Sequence, residues 1–320
     1  MPSQQPNPPG FIRGYNPVTD AETVVQLIAD SFALKDDSEG MRILNQMREN
    51  ARRVQENSWH SPLPANHPGY VWVLDGQVVG NITIISFLDR LRHIALIANV
   101  SVKPELRGLG IASALTKQAL RFTKAKRAAE VWLQVKDDNQ AAKLLYKKFG
   151  FELIRKVNNW ERAARLPLPA DLKTAAAEYS LSRRKLFDWH KQNVWLRETY
   201  PPDTRWYATV DFSRFSPLGG LNLSNWDDHS SLTHFSLREN GSLAGVLTWQ
   251  QGLPKADRLW LALEQSPFEE QRLQALLGGF HEQALSQRSL RLEYPHGRAE
   301  KLLHQLGYQL TRCLDWMKLK

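Results

Sequence analysis

The sequence predicts two tandem α/β (α+β) domains, each a mixed central sheet flanked by helices. The chain has 320 residues, which is more than a single core usually fills. Strand-like and helix-like runs alternate along its first half. Three segments of the second half repeat that order, which indicates an internal repeat. We therefore expect one domain over residues 11–163 and a second over residues 164–320.

Composition indicates a soluble protein. The chain is 42% hydrophobic and 23% charged, and no segment reaches the roughly 18 uninterrupted apolar residues that a membrane span needs. The first residues, "MPSQQPNPPGF", lack the basic and apolar regions of a signal peptide. We expect a cytoplasmic protein that does not bind membranes.

Charge and cysteine content narrow the classes of partner. The net charge of +9 is spread over both halves, which suits an anionic ligand but lacks the clustered basic stripe of a nucleic-acid binder. We therefore do not expect nucleic acid as a partner, and we expect no bound metal. The one cysteine, Cys313, lies in an apolar stretch, so we expect a buried structural thiol, with a nucleophile as the alternative.

The first domain opens with a short strand, "FIRGYNP", and a helix, "TDAETVVQLIADSFA", for which Thr19 or Asp20 is the predicted N-cap. An arginine-rich helical run covers Glu39–Val54. The later runs, in order, are the strands "YVWVLDG", "QVVGNITIISF" and "HIALIANVSV", the helix "IASALTKQALRFTKAKRA", the strand "EVWLQV", the helix "NQAAKLLYKKF" and the strand "FELIRKV".

The second half begins after a proline-containing linker, "ARLPLPADL". Helical runs are predicted over Leu172–Tyr179 and Ser182–Thr199. The repeated segments then align Gly245 with Gly80, Pro267 with Pro104 and Gly307 with Gly150. The alternative interpretation is two unrelated α/β domains that share only generic strand and turn patterns.

The segment Arg107–Ala112, "RGLGIA", lies between a strand and a helix. This position brings several backbone N–H groups to a helix N-terminus, where they lack partners within the helix and meet the positive end of its dipole. Glycines there permit left-handed torsions and close approach of an anion. The segment predicts a phosphate or pyrophosphate site, although it matches neither the dinucleotide fingerprint nor the Walker loop.

The run "NVSVKPELRGLGIASAL" resembles motif A of the GNAT superfamily of acyl-CoA-dependent N-acyltransferases, and "NQAAKLLYKKFGF" resembles motif B. The resemblance covers residues 11 to about 163 and implies a mostly antiparallel sheet with acetyl-CoA as cosubstrate. It also implies that one loop binds the CoA pyrophosphate. The residues of that loop are Arg107, Gly108, Leu109, Gly110, Ile111 and Ala112.

The resemblance implies further roles for four residues. The backbone of Val100 and Val102 would bind pantetheine and the acyl carbonyl. Tyr146 would be the general acid beside the sulfur, or it only packs in an amphipathic helix. Asn139 would bind pantetheine, or it is simply the N-cap of the same helix.

The general base is not evident from the sequence. Many relatives carry a glutamate on the strand before motif A, but "HIALIANVSV" has none. A water chain to solvent is one alternative. The polar candidates are His93, Asn99 and Ser101 on that strand and His60, His67 and Asp89 in flanking loops.

The second copy lacks the parts that the first copy has. Arg107-Gly108-Leu109-Gly110 becomes Glu270-Gln271-Arg272-Leu273, and Tyr146 becomes Leu303. The carboxylates Glu269 and Glu270 would repel a pyrophosphate. We therefore expect a degenerate second domain.

These observations together predict an N-acetyltransferase that moves an acetyl group from acetyl-CoA to a primary amine, by direct attack in a ternary complex. The alternative is a non-catalytic acyl-CoA-binding or interaction module. In this family the acceptor site would be formed by Phe32–Val54 and Asn158–Arg162, which carry no motif that identifies the acceptor.

Overall fold

The computed structural model describes residues 9–32, 45, 47–49, 52, 69–89, 91–169, 172, 178–201, 206–207, 212–217, 230–253, 256–284 and 286–320. Contacts divide the chain into two compact units. The first unit is Met1–Ile154 together with Trp316–Lys320, and the second unit is Arg155–Asp315. The predicted boundary at residue 163 remains a prediction, and the contact division falls a few residues before it.

The first unit alternates strands and helices as its sequence pattern predicts. Its strands are β1 (Phe11–Gly14), β2 (Gly69–Leu74), β3 (Gln77–Asp89), β4 (Arg92–Val102), β5 (Glu130–Lys136) and the first residues of β6 (Phe151–Arg162). Its helices are α1 (Pro17–Phe32), α2 (Ile111–Ala125) and α3 (Gln140–Lys148), with a 3-10 turn at Pro104–Leu106.

The sheet of the first unit has the order β1-β2-β3-β4-β5. Its neighbours are antiparallel except for β4 and β5, which are parallel. One face packs against α2 and α3 through a cluster that contains Ile82, Ile97 and Leu115. The other face packs against α1 through Val25, Ile28 and Val71.

The second unit repeats this plan. Its strands are the rest of β6, β7 (Tyr179–Arg183), β8 (Ser231–Glu239), β9 (Ser242–Gln251), β10 (Asp257–Leu263), β11 (Leu290–Pro295) and most of β12 (Gln309–Leu319). Its helices are α4 (Asp188–Thr199), α5 (Glu269–Gln283) and α6 (Glu300–Gln305), with a 3-10 turn at Phe212–Phe215. The order is β7-β8-β9-β10-β11-β6, and β10 and β11 form the parallel pair.

Several local predictions were wrong. Helix α1 begins at Pro17, where the side chain of Asn16 accepts a hydrogen bond from the Val18 N–H, so neither Thr19 nor Asp20 is the cap. The predicted helix over Ser182–Thr199 begins only at Asp188, because Ser182 and Arg183 pair with β8. Cys313 is half-buried, with its sulfur 3.6 Å from Nδ1 of His296.

Two predicted helical runs lie largely outside the described residues. These are Glu39–Val54 and Leu172–Tyr179.

Candidate active site

The loop between β4 and α2 has the backbone geometry of an anion site. After β4 ends, the 3-10 turn brings the chain to Gly108 and Gly110, whose φ angles are +81° and +88°. These torsions lie in the left-handed region that favours glycine. A Cβ built at either position meets no other atom within 4 Å, so the space above both residues is open. The glycines are therefore required by backbone conformation, and they leave room for a ligand.

The N–H groups of this loop make few hydrogen bonds within the described structure. The first backbone bond into α2 runs from the Ala114 N–H to the Gly110 carbonyl, at 3.0 Å. Within the described part of the chain, the N–H groups from Gly108 to Ser113 have no acceptor, and no side chain caps the helix. No acidic residue lies in the first turn of α2. Such a helix N-terminus can bind phosphate oxygens.

The side chains of the loop point in different directions. Leu109 is 46% exposed, whereas Ile111 is buried in the apolar cluster and Ala112 packs against it. The Arg107 Nε donates to the Val102 carbonyl at 3.2 Å, which ties the loop to the end of β4. The loop therefore offers mainly backbone groups to a ligand.

Strands β4 and β5 separate beside this loop. Their parallel ladder runs from Ile94–Glu130 to Ile97–Leu133, and both strands continue beyond it. The Lys103 N–H donates to the Val79 carbonyl of β3. Because the backbone N–H and C=O groups of successive residues point to opposite sides of a strand, those of Val100 and Val102 face β5. The side chains of both valines pack in the apolar cluster that also contains Ile111 and Leu115 of α2. The separation thus leaves a backbone edge next to the glycine loop.

Tyr146 of α3 lies in the same apolar cluster as Val102 and Ile111. Its ring packs edge-on against Phe151 at 6.0 Å between centroids, and only 6% of the residue is exposed. Burial raises the pKa of the Tyr146 phenol above its ordinary value of 10. In the described part of the structure its hydroxyl makes no hydrogen bond, so this protonated donor has no partner there.

Asn139 is the N-cap of α3. Its Oδ1 accepts from the Ala142 N–H at 3.0 Å, and its backbone bonds Lys136 and Lys143. These contacts are all local, so they account for Asn139 as a helix cap. A role in ligand binding stays a prediction, with the Nδ2 as the group that could serve it.

The candidate bases lie in different environments. Asp89 pairs with Arg92 at the β3–β4 turn, with 2.5 Å between the charged atoms. His93 is half-buried in β4 opposite Leu88. Ser101 is buried and its Oγ has no hydrogen-bond partner among the described residues. His60 and His67 lie outside the described residues, and no base is assigned.

Side chains close the corresponding position in the second unit. Glu269, the first residue of α5, accepts hydrogen bonds from Tyr294 and Arg298. Arg272 bridges two carboxylates, at 2.5 Å from Glu239 and 2.9 Å from Glu264. The first turn of α5 thus carries carboxylate and arginine side chains that pair within the unit itself, where the first unit has glycines.

A tyrosine also bridges the two separating strands of the second unit. The ladder of β10 and β11 ends at Leu259–Leu292, and beyond it the Leu261 N–H donates to the Tyr200 hydroxyl at 3.2 Å. That hydroxyl donates in turn to the Glu293 carbonyl at 3.3 Å. Tyr200 therefore occupies the position in the second unit that corresponds to the Val100–Val102 edge of the first unit. No sequence pattern signals this bridge, because Tyr200 comes after α4 and reaches β10 only in the fold.

Comparisons with known proteins agree with this geometry. A model of the "Acetyltransferase (GNAT) family" matches residues 33–151. An N-alpha-acetyltransferase of Sulfolobus acidocaldarius is 31% identical in a match that covers 31% of this chain and 73% of that protein. The chain belongs to the GNAT family. The GNAT match contains the β4–α2 loop, Asn139 and Tyr146, and it ends before the second unit.

Two other relatives match a similar length of this chain. A candidate ribosomal protein bS18-alanine N-acetyltransferase of Bacillus subtilis is 31% identical over 100 residues, which are 31% of this chain and 64% of that protein. An uncharacterized N-acetyltransferase of Methanocaldococcus jannaschii is 33% identical over 99 residues, 29% of this chain and 42% of that protein. The chain therefore spans less than two thirds of the length of these two relatives.

Solved GNAT structures cover both units. A GCN5-related N-acetyltransferase from Sphaerobacter thermophilus matches 96% of this chain and 94% of its own, with a TM-score of 0.56 and 16% identity. A tandem GNAT protein from the clavulanic acid biosynthesis pathway matches 96% and 98%, with a TM-score of 0.50 and 16% identity. The fold is therefore that of a tandem GNAT protein, as predicted. Among the described residues, none of the helices combines the length and the hydrophobicity that a transmembrane span requires.

Proposed function

We propose that the first unit binds acetyl-CoA and transfers its acetyl group to the primary amine of an acceptor. The observation that carries this proposal is the loop Arg107–Ala112, with its left-handed glycines and N–H groups open to a ligand. The pyrophosphate of CoA has the negative charge and the compact oxygens that such a loop binds. Family membership as a GNAT acetyltransferase supports the choice of cosubstrate.

Three parts of the first unit would then act together. The N–H groups from Gly108 to Ser113 bind the pyrophosphate oxygens and fix the ligand along α2. The backbone edge of Val100 and Val102 orients the pantetheine arm beside β4, with the Val102 carbonyl already taken by Arg107. Because these contacts hold the reacting carbon in place, they lower the barrier to direct attack by an amine.

In this proposal Tyr146 is the proton donor to the leaving group. When bound, acetyl-CoA supplies a thioester carbonyl and a thiolate leaving group. The Tyr146 hydroxyl holds a proton that it can deliver to the departing sulfur. Because burial raises the pKa of this phenol above that of a thiol, about 8.5, full transfer is uphill, and a hydrogen bond to the developing charge is the larger part of its effect.

Binding of acetyl-CoA tests the proposal most directly. We expect Gly110→Glu to weaken binding by at least about 100-fold, because a carboxylate at the loop repels phosphate and a side chain fills the open space. Gly76→Glu is the matched control, since Gly76 also has a positive φ of +77° and open space around it but lies in the β2–β3 turn. Isothermal titration calorimetry measures both. If Gly110→Glu bound acetyl-CoA as tightly as the wild type, the proposal would be wrong.

The alternative function, a non-catalytic acyl-CoA-binding module, is favoured by one observation: β4 carries no carboxylate that could serve as base. An assay for release of the CoA thiol separates the two. The first amines to test are peptide α-amines, because the names of the relatives point to N-terminal acetylation. Thiol release that depends on the amine supports the enzyme, whereas tight binding without any amine-dependent release supports the binding module.

A further inference from the structure

Strand β4 carries a bulge where it leaves β5. Asn81 of β3 pairs with Ser101 of β4, but Thr83 pairs with Ala98, so three steps on β4 oppose two steps on β3. The extra residue lies at Asn99, whose φ is +53°. This left-handed conformation is uncommon for residues other than glycine; asparagine adopts it more often than most, and local hydrogen bonds give it support.

The side chain of Asn81 supplies that support. It is 1% exposed, and its Nδ2 donates to the Asn99 carbonyl at 2.9 Å. Its neighbours on β3, Gly80 and Ile82, face α2, so Asn81 lies on the opposite face of the sheet. A buried amide is costly unless it is bonded, and here its bond is to the carbonyl of the bulge itself.

The second unit provides an internal comparison. With Gly245 set on Gly80, the residue at the place of Asn81 is the buried Val246. Strands β9 and β10 pair from Arg258 to Leu263 without any shift of register, so the bulge of β4 has no counterpart there. The asparagine and the bulge are therefore both present in the first copy and both absent from the second.

A different bulge is shared by the two copies. The β2–β3 pairing shifts between Trp72 and Val73, and the β8–β9 pairing shifts at the matching place, between Leu237 and Arg238. Both units therefore have this bulge in the β2–β3 or β8–β9 pairing. The second unit, however, folds without a bulge like the one in β4. The β4 bulge consequently points to function and not to folding alone.

The bulge lies between the last β4–β5 pair, Ile97–Leu133, and the edge formed by Val100 and Val102. A bulge bends its strand and increases the local twist, so it re-aims the backbone groups beyond it. A slip of one residue would also exchange the backbone groups that face β5. We propose that Asn81 is a positioning residue for acyl transfer: by holding the bulge at Asn99, it aims the backbone edge of Val100–Val102 at the thioester. This inference rests on the proposed function.

The test replaces Asn81 by the residue of the second copy, Asn81→Val. We expect kcat to fall by about 100-fold, as misplacement by about 1 Å can cause. The Kd for CoA without an acyl group should stay within about threefold, because the loop at Gly108–Gly110 is unchanged. Thr83→Val is the control for the surrounding polar contacts. Its hydroxyl lies 3.5 Å from the side-chain amides of both Asn81 and Asn99, so the variant removes these two long contacts but keeps the Asn81 bond to the Asn99 carbonyl, and kcat should be unchanged.

A second substitution distinguishes positioning from packing. Glycine adopts the left-handed conformation freely, so adding Asn99→Gly to Asn81→Val should restore part of kcat. If Asn81→Val does not fold, Asn81→Ser keeps a polar group but is too short to reach the Asn99 carbonyl, and it should show the same loss.

Register provides a readout that does not depend on turnover. Crystal structures of Asn81→Val and Thr83→Val should show loss of the β4 bulge only in the first variant, even if the wild type proves unable to bind acetyl-CoA. Failure of wild-type binding would thus contradict the proposed function alone. An Asn81→Val protein that keeps the bulge and the wild-type kcat would overturn the role of Asn81.

Discussion

The hydroxyl of Tyr146 lies in an apolar cluster, and this environment sets what the group can do. Burial raises the pKa of the phenol above 10, so the proton stays on the oxygen throughout the physiological range. The same burial weakens the phenol as an acid toward a thiolate. Its contribution to catalysis should therefore be moderate, and proximity should supply most of it.

Tyr146→Phe tests this balance. We expect kcat to fall by roughly 10- to 100-fold, because one positioned proton donor is lost. The Kd for acetyl-CoA should change by less than about twofold, because in the proposed function the loop, and not Tyr146, binds the phosphates. Steady-state kinetics and calorimetry measure the two effects. Tyr70→Phe on β2, another tyrosine of the same cluster, is the control and should leave kcat unchanged; an unchanged kcat in Tyr146→Phe would remove this residue from the mechanism.

Single residues of the site differ in how far the sequence could predict them. Gly108 and Gly110 were predictable because left-handed torsions at a helix start are a local property. Asn139 was predictable as a cap for the same reason. Asn81 was not, because its partner, the Asn99 carbonyl, is 18 residues away and becomes a partner only when β3 and β4 pair.

At the scale of elements, both units have a parallel strand pair that separates after four or three ladder positions. In the first unit the Arg107 side chain bonds the Val102 carbonyl at the edge beyond the ladder, and among the described residues no tyrosine bridges the two strands there. In the second unit, the Tyr200 hydroxyl accepts from the Leu261 N–H and donates to the Glu293 carbonyl across that edge. The same pair of strands therefore carries a bridging tyrosine in one unit and not in the other.

Tyr200→Phe should destabilise the second unit by about 1–3 kcal/mol, since it leaves the buried Leu261 N–H and the Glu293 carbonyl without their partner. Urea unfolding monitored by tryptophan fluorescence measures this loss. Tyr179→Phe is the control, because its partner Glu239 keeps its bond to Arg272, and it should cost less than about 0.5 kcal/mol. Equal losses in the two variants would contradict a bridging role for Tyr200.

Strand β7 shows where helical periodicity misled the prediction. Ser182 and Arg183 continue the pattern of α4, but they pair with Ser236 and Phe235 of β8. Pairing with an existing sheet edge outweighed the weak local preference for helix. The core elements of the first unit were predictable because their apolar spacing is regular and their turns carry Gly or Pro.

At the scale of the molecule, a buried histidine of the second unit links its stability to pH. His281 is 8% exposed, and its Nε2 lies 3.0 Å from the Tyr308 hydroxyl. Burial, helped by the charge of Arg162, lowers the pKa of His281 from 6.5 to about 3. The unfolded chain therefore binds more protons than the folded unit between these two values.

The contribution of His281 to the free energy of unfolding should accordingly be fully present above pH 6.5. It should decrease as the pH falls toward 3, by up to about 1.4 kcal/mol per pH unit. His281→Gln should flatten that slope, because the amide does not titrate. Urea midpoints at pH 7, 6, 5 and 4 measure it. His190→Gln, on α4, is the control. A slope in His281→Gln as steep as in the wild type would contradict the assignment.

The sequence by itself determined the described elements of the first unit, the glycine loop before α2 and the loss of that loop from the second copy. These features depend on residues close together in the chain: glycines before a helix, a cap, an apolar period, or carboxylates where glycines would be needed. The tertiary structure alone decided the bulge held by Asn81, the bridge made by Tyr200 and the return of Trp316–Lys320 to the first unit. Each of these joins residues far apart in the chain, and such hydrogen bonds and strand pairings exist only after the sheet has formed.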